Sequence, residues 1–256
     1  MRIISWNING IRTRFGELRE LAARYRPDFI CLQKVRCDEK RGDFKLEGYR
    51  QFFEPCDFGK WSGVTVFGKI PEDSGRSSAI APERYRNDFL SANGHMQAVD
   101  CGELILVNAY VPFANKTVPG AEEYRKKWDL AFRNFIGSLT QKKPVVICGD
   151  LNIVHTINDT CESRLEQNRP CFYKWERENF NSLLEECELV DIYRELHPDA
   201  EVPTFYGNYR HTGLGNRIDY FLISRSLMPK VKGAEILTDF GTGQSVPITL
   251  ELNYAL

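Results

Sequence analysis

The sequence lacks any apolar run approaching the roughly 18–20 residues that a membrane-spanning helix requires. Its first residues, MRIISWNING, also lack the basic and then apolar layout of a secretory signal, because Asn7 and Asn9 interrupt the apolar stretch. We therefore expect a cytoplasmic protein that has no membrane partner.

Paired cysteines are missing as well. The eight cysteines are scattered along the chain, and no two of them form a CxxC pair. Cys31 and Cys148 lie inside apolar, strand-like runs, where a thiol usually behaves as a small hydrophobic side chain. This distribution argues against both a disulfide framework and a zinc site.

No repeat, low-complexity run or Gly/Ser linker divides the 256 residues. The simplest interpretation is a single domain spanning residues 1–256. With 42% hydrophobic residues, the chain has enough apolar side chains for a substantial core.

Charge of neither sign dominates, since the net charge is -1, but the charges are unevenly placed. Residues 1–50 carry 12 Lys/Arg and 7 Asp/Glu, whereas residues 161–201 carry 5 and 11. A basic face beside an acidic one suits a phosphate-bearing partner on one side. Two ordinary solvated surfaces explain the same pattern equally well.

Short apolar runs predict many strands with some helices between them. The helical spacing of apolar residues predicts helices at Leu18–Tyr25, Glu122–Leu139 and Lys174–Glu186. This order favours an α/β fold, a two-layer β-sandwich flanked by helices. A doubly wound parallel sheet is the main rival, and consecutive strands between residues 63 and 109 count against it. The predicted strands are Arg2–Ser5, Phe29–Gln33, Gly63–Phe67, Met96–Val99, Leu104–Ala109, Val145–Cys148, Tyr220–Ile223 and Ile248–Leu252.

Polar residues of one kind stand at the ends of four of these strands. Asn7 follows the first strand, Asn108 lies at the end of the strand at 104–109, Asp150 and Asn152 follow the strand at 145–148, and Asp219 precedes the strand at 220–223. Any one of them alone is ordinary turn chemistry. Together they indicate that strand ends converge on one functional edge.

The motifs WNING, LQ-x-x-R, VNAYVP, GDLN and NRIDYFLIS resemble, in order and spacing, the exonuclease III/AP-endonuclease family. The resemblance extends from residue 2 to about residue 252 and implies the endonuclease/exonuclease/phosphatase fold. It also implies hydrolysis of a phosphodiester, with a divalent metal and a histidine offsetting the charge that gathers on oxygen. The catalytic positions implied by the resemblance are Asn7, Tyr110, Asp150, Asn152 and Asp219.

Three residues depart from that pattern. Lys34 stands where the family has a metal-binding glutamate, and Gln244 and Ser245 replace the aspartate and histidine of a Ser-Asp-His segment. An ammonium group repels Mg²⁺, and a serine has no titratable ring. We therefore predict a vestigial site that binds no metal and needs no cofactor. Lys34 either grips phosphate in the metal's place or pairs with Asp150 or Asp219 in an inactive pocket.

Smaller features are similar to the catabolite repression control proteins, a non-cleaving group of this superfamily. They are the MRIIS-x-N-x-NGI start, Arg36 and Gln244. This resemblance implies a post-transcriptional regulator, and not an enzyme, that binds RNA in a complex with an RNA chaperone such as Hfq. The candidate nucleic-acid contacts are Arg12, Arg14, Lys34, Arg36, Lys40 and Arg41.

Two alternatives remain open. The first is a weak Mg²⁺-dependent AP endonuclease or exodeoxyribonuclease in DNA repair, which would use Asp150, Asn152 and Asp219 on DNA. The second is a phosphatase acting on a small phosphoester or a lipid, which is disfavoured because such relatives also need the glutamate and the histidine.

Overall fold

Two mixed β-sheets pack face to face and carry helices on their outer surfaces, which confirms the predicted fold class. The computed structural model describes residues 1–37, 44–54, 62–69, 85, 87–163, 165, 167–208 and 210–254. The strands are β1 (Arg2–Asn7), β2 (Phe29–Gln33), β3 (Arg50–Glu54), β4 (Val64–Gly68), β5 (Met96–Asp100), β6 (Ile105–Tyr110), β7 (Val145–Asp150), β8 (Leu189–Asp191), β9 (Asp219–Ser224), β10 (Val231–Ile236) and β11 (Ile248–Leu252). The α-helices are α1 (Ile11–Tyr25), α2 (Asp88–Ser91), α3 (Ala121–Thr140), α4 (Lys174–Glu186) and α5 (Ile192–Leu196), and short 3₁₀ turns lie at Ala92–Gly94, Ile157–Asp159, Arg210–Thr212 and Arg225–Lys230.

The strand order is β10-β11-β1-β2-β4-β3 in the first sheet and β5-β6-β7-β9-β8 in the second. The pairs β1/β2 and β6/β7 are parallel, and the other neighbours are antiparallel. Parallel neighbours end at the same edge, and an antiparallel neighbour begins there. The ends of β6 and β7 and the start of β9 therefore lie side by side.

Central strands are apolar on both faces because both faces are covered. In β1, Ile3 packs between the two sheets, whereas Ile4 and Trp6 pack against α1. Burial on both sides explains why these strands are continuous apolar runs without clear alternation.

Each long helix covers the outer face of one sheet. Helix α1 buries Leu18 and Leu21 against the first sheet, and α3 buries Trp128 and Phe132 against the second. Helix α1 begins seven residues before the predicted Leu18–Tyr25, and it ends where Arg26 adopts a left-handed conformation before Pro27. The described helices include none that is long and apolar enough to span a membrane.

Candidate active site at the sheet edge

Three strands of the second sheet bring the central side chains of the site into one row. Across the ladders, Tyr110 is paired with Asp150, and Asp150 is paired with Asp219. From the facing sheet, the side-chain amide of Asn7, at the end of β1, donates a 2.8 Å hydrogen bond to Asp150 Oδ2. The site therefore spans the open edge of both sheets.

Asp150 is the best-supported carboxylate of this row. It is fully buried, accepts the bond from Asn7, and also accepts a 3.0 Å bond at Oδ1 from the backbone N–H of Asn152. Burial raises the pKa of Asp150, although Lys34 and these two donors act to lower it. Fixed donors on both oxygens orient the carboxylate toward one position.

Asn152 belongs to the turn that leaves β7. Its backbone is left-handed at φ 49°, and its side-chain amide donates a 2.7 Å bond to the carbonyl of Val111. Gly149, two residues before the turn residue Leu151, lies so close to β6 that a Cβ there would sit 1.9 Å from the carbonyl oxygen of Ala109. The GDLN motif thus requires glycine at its first position for steric reasons.

Lys34 follows β2 directly and reaches the same row. Its ammonium lies 3.7 Å from Asp150 Oδ2 and 4.9 Å from the centre of the Tyr110 ring. Burial lowers the pKa of Lys34, but the negative charge of Asp150 and the Tyr110 hydroxyl outweigh it, so that the pKa is raised. Of the two carboxylates considered from the sequence, Asp150 is the closer partner.

Asp219 is buried without comparable support. Within the described part of the chain, neither of its carboxylate oxygens has a hydrogen-bond partner of regular geometry. Burial and the charge of Asp150 raise the pKa of Asp219 to about 8, against smaller lowering effects of the Thr204 hydroxyl and Lys34. Asp219 is therefore mostly protonated at neutral pH and can act as a hydrogen-bond donor.

Gln244 and Ser245 lie on the segment that borders Asp219. Ser245 is buried and forms a β-bridge with Phe205, next to Thr204, whose hydroxyl accepts the backbone N–H of Asp219. The Gln244 side chain points elsewhere and bonds Asn208 and, at 3.4 Å, Asn9. The missing histidine and the unsupported Asp219 thus share one region of the site.

The structure describes four of the six residues predicted to contact nucleic acid, including Lys34. Arg12 is exposed at the start of α1, Arg14 forms an ion pair with Glu17, and Arg36 is half-buried near the chain at Gly10. Lys40 and Arg41 lie outside the described residues.

Sequence reasoning missed a histidine beside Tyr110. His95 stacks on the Tyr110 ring with centroids 5.4 Å apart, and its Nδ1 lies 2.6 Å from the Tyr110 carbonyl oxygen. Burial lowers the pKa of His95, so the ring is neutral and its Nδ1–H donates to that carbonyl. The Gly94-His95 pair before β5 offered no signal, because the contact depends on the pairing of β5 with β6.

Sequence reasoning also missed a buried arginine that lies beneath the turn after β7. Arg125 of α3 donates to the carbonyl oxygens of Pro112, Leu151 and Asn152, and it pairs with Asp129 at 2.7 Å. The signal was present in the sequence, because Arg125 lies on the same helical face as the apolar Trp128 and Phe132. A charged residue on a buried face usually has a fixed partner.

Sequence reasoning also missed a buried hydrogen-bond network that joins the two sheets below the site. Gln33 donates to the Asn108 side chain at 2.7 Å and to Ser5 at 3.0 Å, while Asn108 donates to the backbone carbonyls of Leu32 and Thr65. A connected buried network of this kind holds neighbouring elements in one arrangement. Both residues occur in the quoted motifs, but their pairing requires the sheets to face each other.

Known proteins with similar sequences indicate the family of this chain. Residues 4–240 match the model of the endonuclease/exonuclease/phosphatase family. An exodeoxyribonuclease of Bacillus subtilis is 30% identical, covering 99% of this chain and all of that protein. The DNA repair nuclease APEX1 of Danio rerio is 31% identical over 98% of this chain and 82% of that protein.

Solved structures agree on the fold. A Leishmania major AP endonuclease superposes with a TM-score of 0.83 at 21% identity, covering 99% of this chain and 88% of that one. A Neisseria 3′ phosphatase bound to a product DNA hairpin superposes with a TM-score of 0.83 at 20% identity, covering 99% and 100%.

These comparisons correct two sequence-based expectations. The RNA regulator is wrong, because the relatives that span this chain are an exodeoxyribonuclease and a DNA repair nuclease. An RNA partner held with a chaperone such as Hfq is wrong for the same reason. The comparisons support the exonuclease III-like family but not the finer resemblance to catabolite repression control proteins. The small motifs involve only a few positions, whereas the similarity to the two nucleases extends over 98–99% of this chain.

AP endonucleases of this family normally use Mg²⁺. At the position of Lys34 the residues do not fit Mg²⁺, because an ammonium stands 3.7 Å from Asp150. Two unit charges 4 Å apart interact by ~4 kcal/mol at an effective dielectric of about 20, and a divalent ion beside Lys34 would be repelled about twice as strongly. Among the described residues, no three His, Cys, Asp or Glu side chains are grouped to hold a metal.

Proposed function

Because this chain belongs to the endonuclease/exonuclease/phosphatase family, we propose that it is a slow AP endonuclease or exodeoxyribonuclease that acts on DNA in repair. The observation that carries the proposal is the row of Tyr110, Asp150 and Asp219 facing Asn7 across the sheet edge. Relatives named as an exodeoxyribonuclease and as a DNA repair nuclease support the choice of DNA as substrate.

In this proposal Asp150 is the general base. The bonds from Asn7 and from the N–H of Asn152 hold its carboxylate in one orientation. Burial raises its pKa, and the nearby charge of Lys34 acts against that rise in favour of the ionised form. An oriented carboxylate can position a water and accept its proton as the water oxygen attacks phosphorus. The P–O bond to the leaving sugar oxygen breaks, and that oxygen takes a proton from solvent. Tyr110, stacked on His95, is held at the same edge and offers its hydroxyl to the substrate.

Asp219 supplies a neutral hydrogen-bond donor to the phosphoryl oxygens. Its burial keeps the proton on the carboxyl at neutral pH. The family resemblance assigns the donation of a hydrogen bond to phosphate to a histidine, which Ser245 replaces in this chain. Asp219 therefore takes over part of that role. A neutral donor is weaker than a charged one, and loss of one transition-state donor costs about 10²–10³ in rate. Slow turnover follows.

The test is an abasic-site duplex and a duplex with a recessed 3′ end, each incubated with the purified protein. Nicking at the abasic site identifies an AP endonuclease, and shortening from the 3′ end identifies an exonuclease. Asp150→Asn should abolish either product, whereas Asp239→Asn, at an exposed position, should not. Intact DNA in both assays after long incubation would contradict the proposal.

A further inference from the structure

The backbone fixes where the Lys34 ammonium can reach. Lys34 adopts a left-handed conformation at φ 51°. Its carbonyl accepts the N–H of Gly10 at 2.9 Å, and the next residue, Val35, donates to the carbonyl of Gly63 at 3.0 Å. A conformation that L-residues rarely adopt persists only where the surroundings hold it, and such residues cluster at functional sites. The backbone around Lys34 therefore holds this residue in a fixed position at the site.

The Lys34 ammonium does not form a direct hydrogen bond with the carboxylate of Asp150. Its 3.7 Å separation from Asp150 Oδ2 exceeds the roughly 2.7–3.2 Å of a hydrogen bond from nitrogen to oxygen. Each amide of the site already donates one hydrogen bond, Asn7 to Asp150 and Asn152 to the Val111 carbonyl, and neither amide carries a charge. The ammonium also contacts the Tyr110 hydroxyl, but it has three N–H donors, so it can still bind a ligand.

The charges of the row also suit an anion. Lys34 balances the single negative charge of Asp150. Asp219 adds no second full charge at neutral pH, because burial raises its pKa to about 8. A site for a divalent cation needs the opposite balance, with several ionised oxygens and no ammonium.

We propose that the ammonium of Lys34 binds a non-bridging oxygen of the scissile phosphate in place of the divalent cation that the family uses. The inference rests on the proposed function, because a DNA phosphodiester is the ligand. Lysine binds phosphate as a compact point charge. Capture of DNA at this site therefore does not depend on Mg²⁺.

The first experiment measures binding of a duplex that carries a tetrahydrofuran abasic analogue, by fluorescence anisotropy, in EDTA and in Mg²⁺. The dissociation constant of the native protein should change less than about twofold between the two conditions. Lys34→Met should weaken binding about tenfold or more, since a charged contact to phosphate is lost. Lys232→Met, at an exposed position on the edge strand β10, removes the same charge away from the site and should leave binding close to native.

A second experiment detects the contact without DNA. The side-chain Nζ resonance of Lys34, assigned by its absence in Lys34→Met, should shift when inorganic phosphate is added in EDTA. Titration with Mn²⁺, followed by electron paramagnetic resonance, should show no tight site in the native protein and one in Lys34→Glu. An unmoved Lys34 resonance, or a tight Mn²⁺ site in the native protein that contains Lys34, would overturn the inference.

The two proposals fail in different ways. Metal-independent, Lys34-dependent binding without any cleavage would refute the nuclease and keep the phosphate ligand. Cleavage that requires Mg²⁺ and tolerates Lys34→Met would keep the nuclease and refute the role of Lys34.

Discussion

Asp150 and Asp219 face each other across one rung between β7 and β9, yet only Asp150 has regular hydrogen-bond partners for its carboxylate in the described residues. Burial raises the pKa of both carboxyl groups, and the pKa of the less supported Asp219 reaches about 8. Environments that separate the pKa values of two neighbouring carboxyls commonly assign one the role of base and the other the role of donor.

The first prediction concerns the stability of Asp219→Asn. The pKa of Asp219 is about 8 in the folded protein and 3.8 in its ordinary state, so between pH 4 and pH 8 the folded state binds the extra proton. Stability therefore falls as pH rises through this window. Asparagine is neutral at every pH, so Asp219→Asn should gain ~1–3 kcal/mol at pH 8.5 and little at pH 4.

Thermal unfolding at the two pH values provides the measurement. The melting temperature of Asp219→Asn should exceed that of the native protein only at the higher pH. Asp199→Asn, at an exposed position, is the control and should change neither value. A loss of stability at pH 8.5 would mean that Asp219 is ionised and paired in the folded protein.

Arg125→Lys should weaken the turn that carries Asn152. Lysine keeps the charge but cannot bond three carbonyls and Asp129 together, because its ammonium lacks the planar fork of arginine. We expect a loss of ~1–3 kcal/mol, which corresponds to a fall of a few degrees in melting temperature, and slower cleavage. Arg133→Lys, on the same helix and paired with a more exposed Glu186, should lose much less. Equal losses in the two variants would show that the carbonyl contacts are unimportant.

Gly149→Ala tests the close approach of β7 to β6. The added methyl group would lie 1.9 Å from the Ala109 carbonyl oxygen, and the backbone stands at φ 136°, so both strands would have to separate. A loss above ~4 kcal/mol is expected, read from urea unfolding or from insolubility. Gly16→Ala in α1, with open space around it, should instead stabilise by ~0.5–1 kcal/mol. A stable, soluble Gly149→Ala protein would show that the motif does not need glycine here.

Restoring the family residues tests why turnover is slow. The triple change Lys34→Glu, Gln244→Asp, Ser245→His should raise Mg²⁺-dependent nicking of abasic DNA, by about 10²-fold if the histidine reaches the phosphate. Lys34→Glu alone should gain metal binding but little cleavage, because Gln244 and Ser245 still lack the charged donor. A fully active Lys34→Glu single variant would show that Ser245 is not limiting.

The fold was largely predictable because its core strands are strongly apolar and occur in a recognisable motif order. Strands β3, β8 and β10 were not predicted. β8 has only three residues. β3 and β10 are edge strands in which only Glu54 and Ala234, respectively, are buried, so none of the three has a clear apolar pattern. The shared edge of Asn7, Asp150 and Asp219 was foreseen from their places at strand ends.

The sequence by itself determined the residue types of the site, including Lys34 and Ser245 in place of a glutamate and a histidine. It also determined the two-sheet architecture, because apolar periodicity and motif order are properties of the chain. Only the tertiary structure decided that Lys34 lies beside Asp150, that Asp219 is buried without support, and that His95 and Arg125 hold the site from behind. These relations depend on strand register and on which faces meet, and register is a cooperative result of packing between residues far apart in sequence.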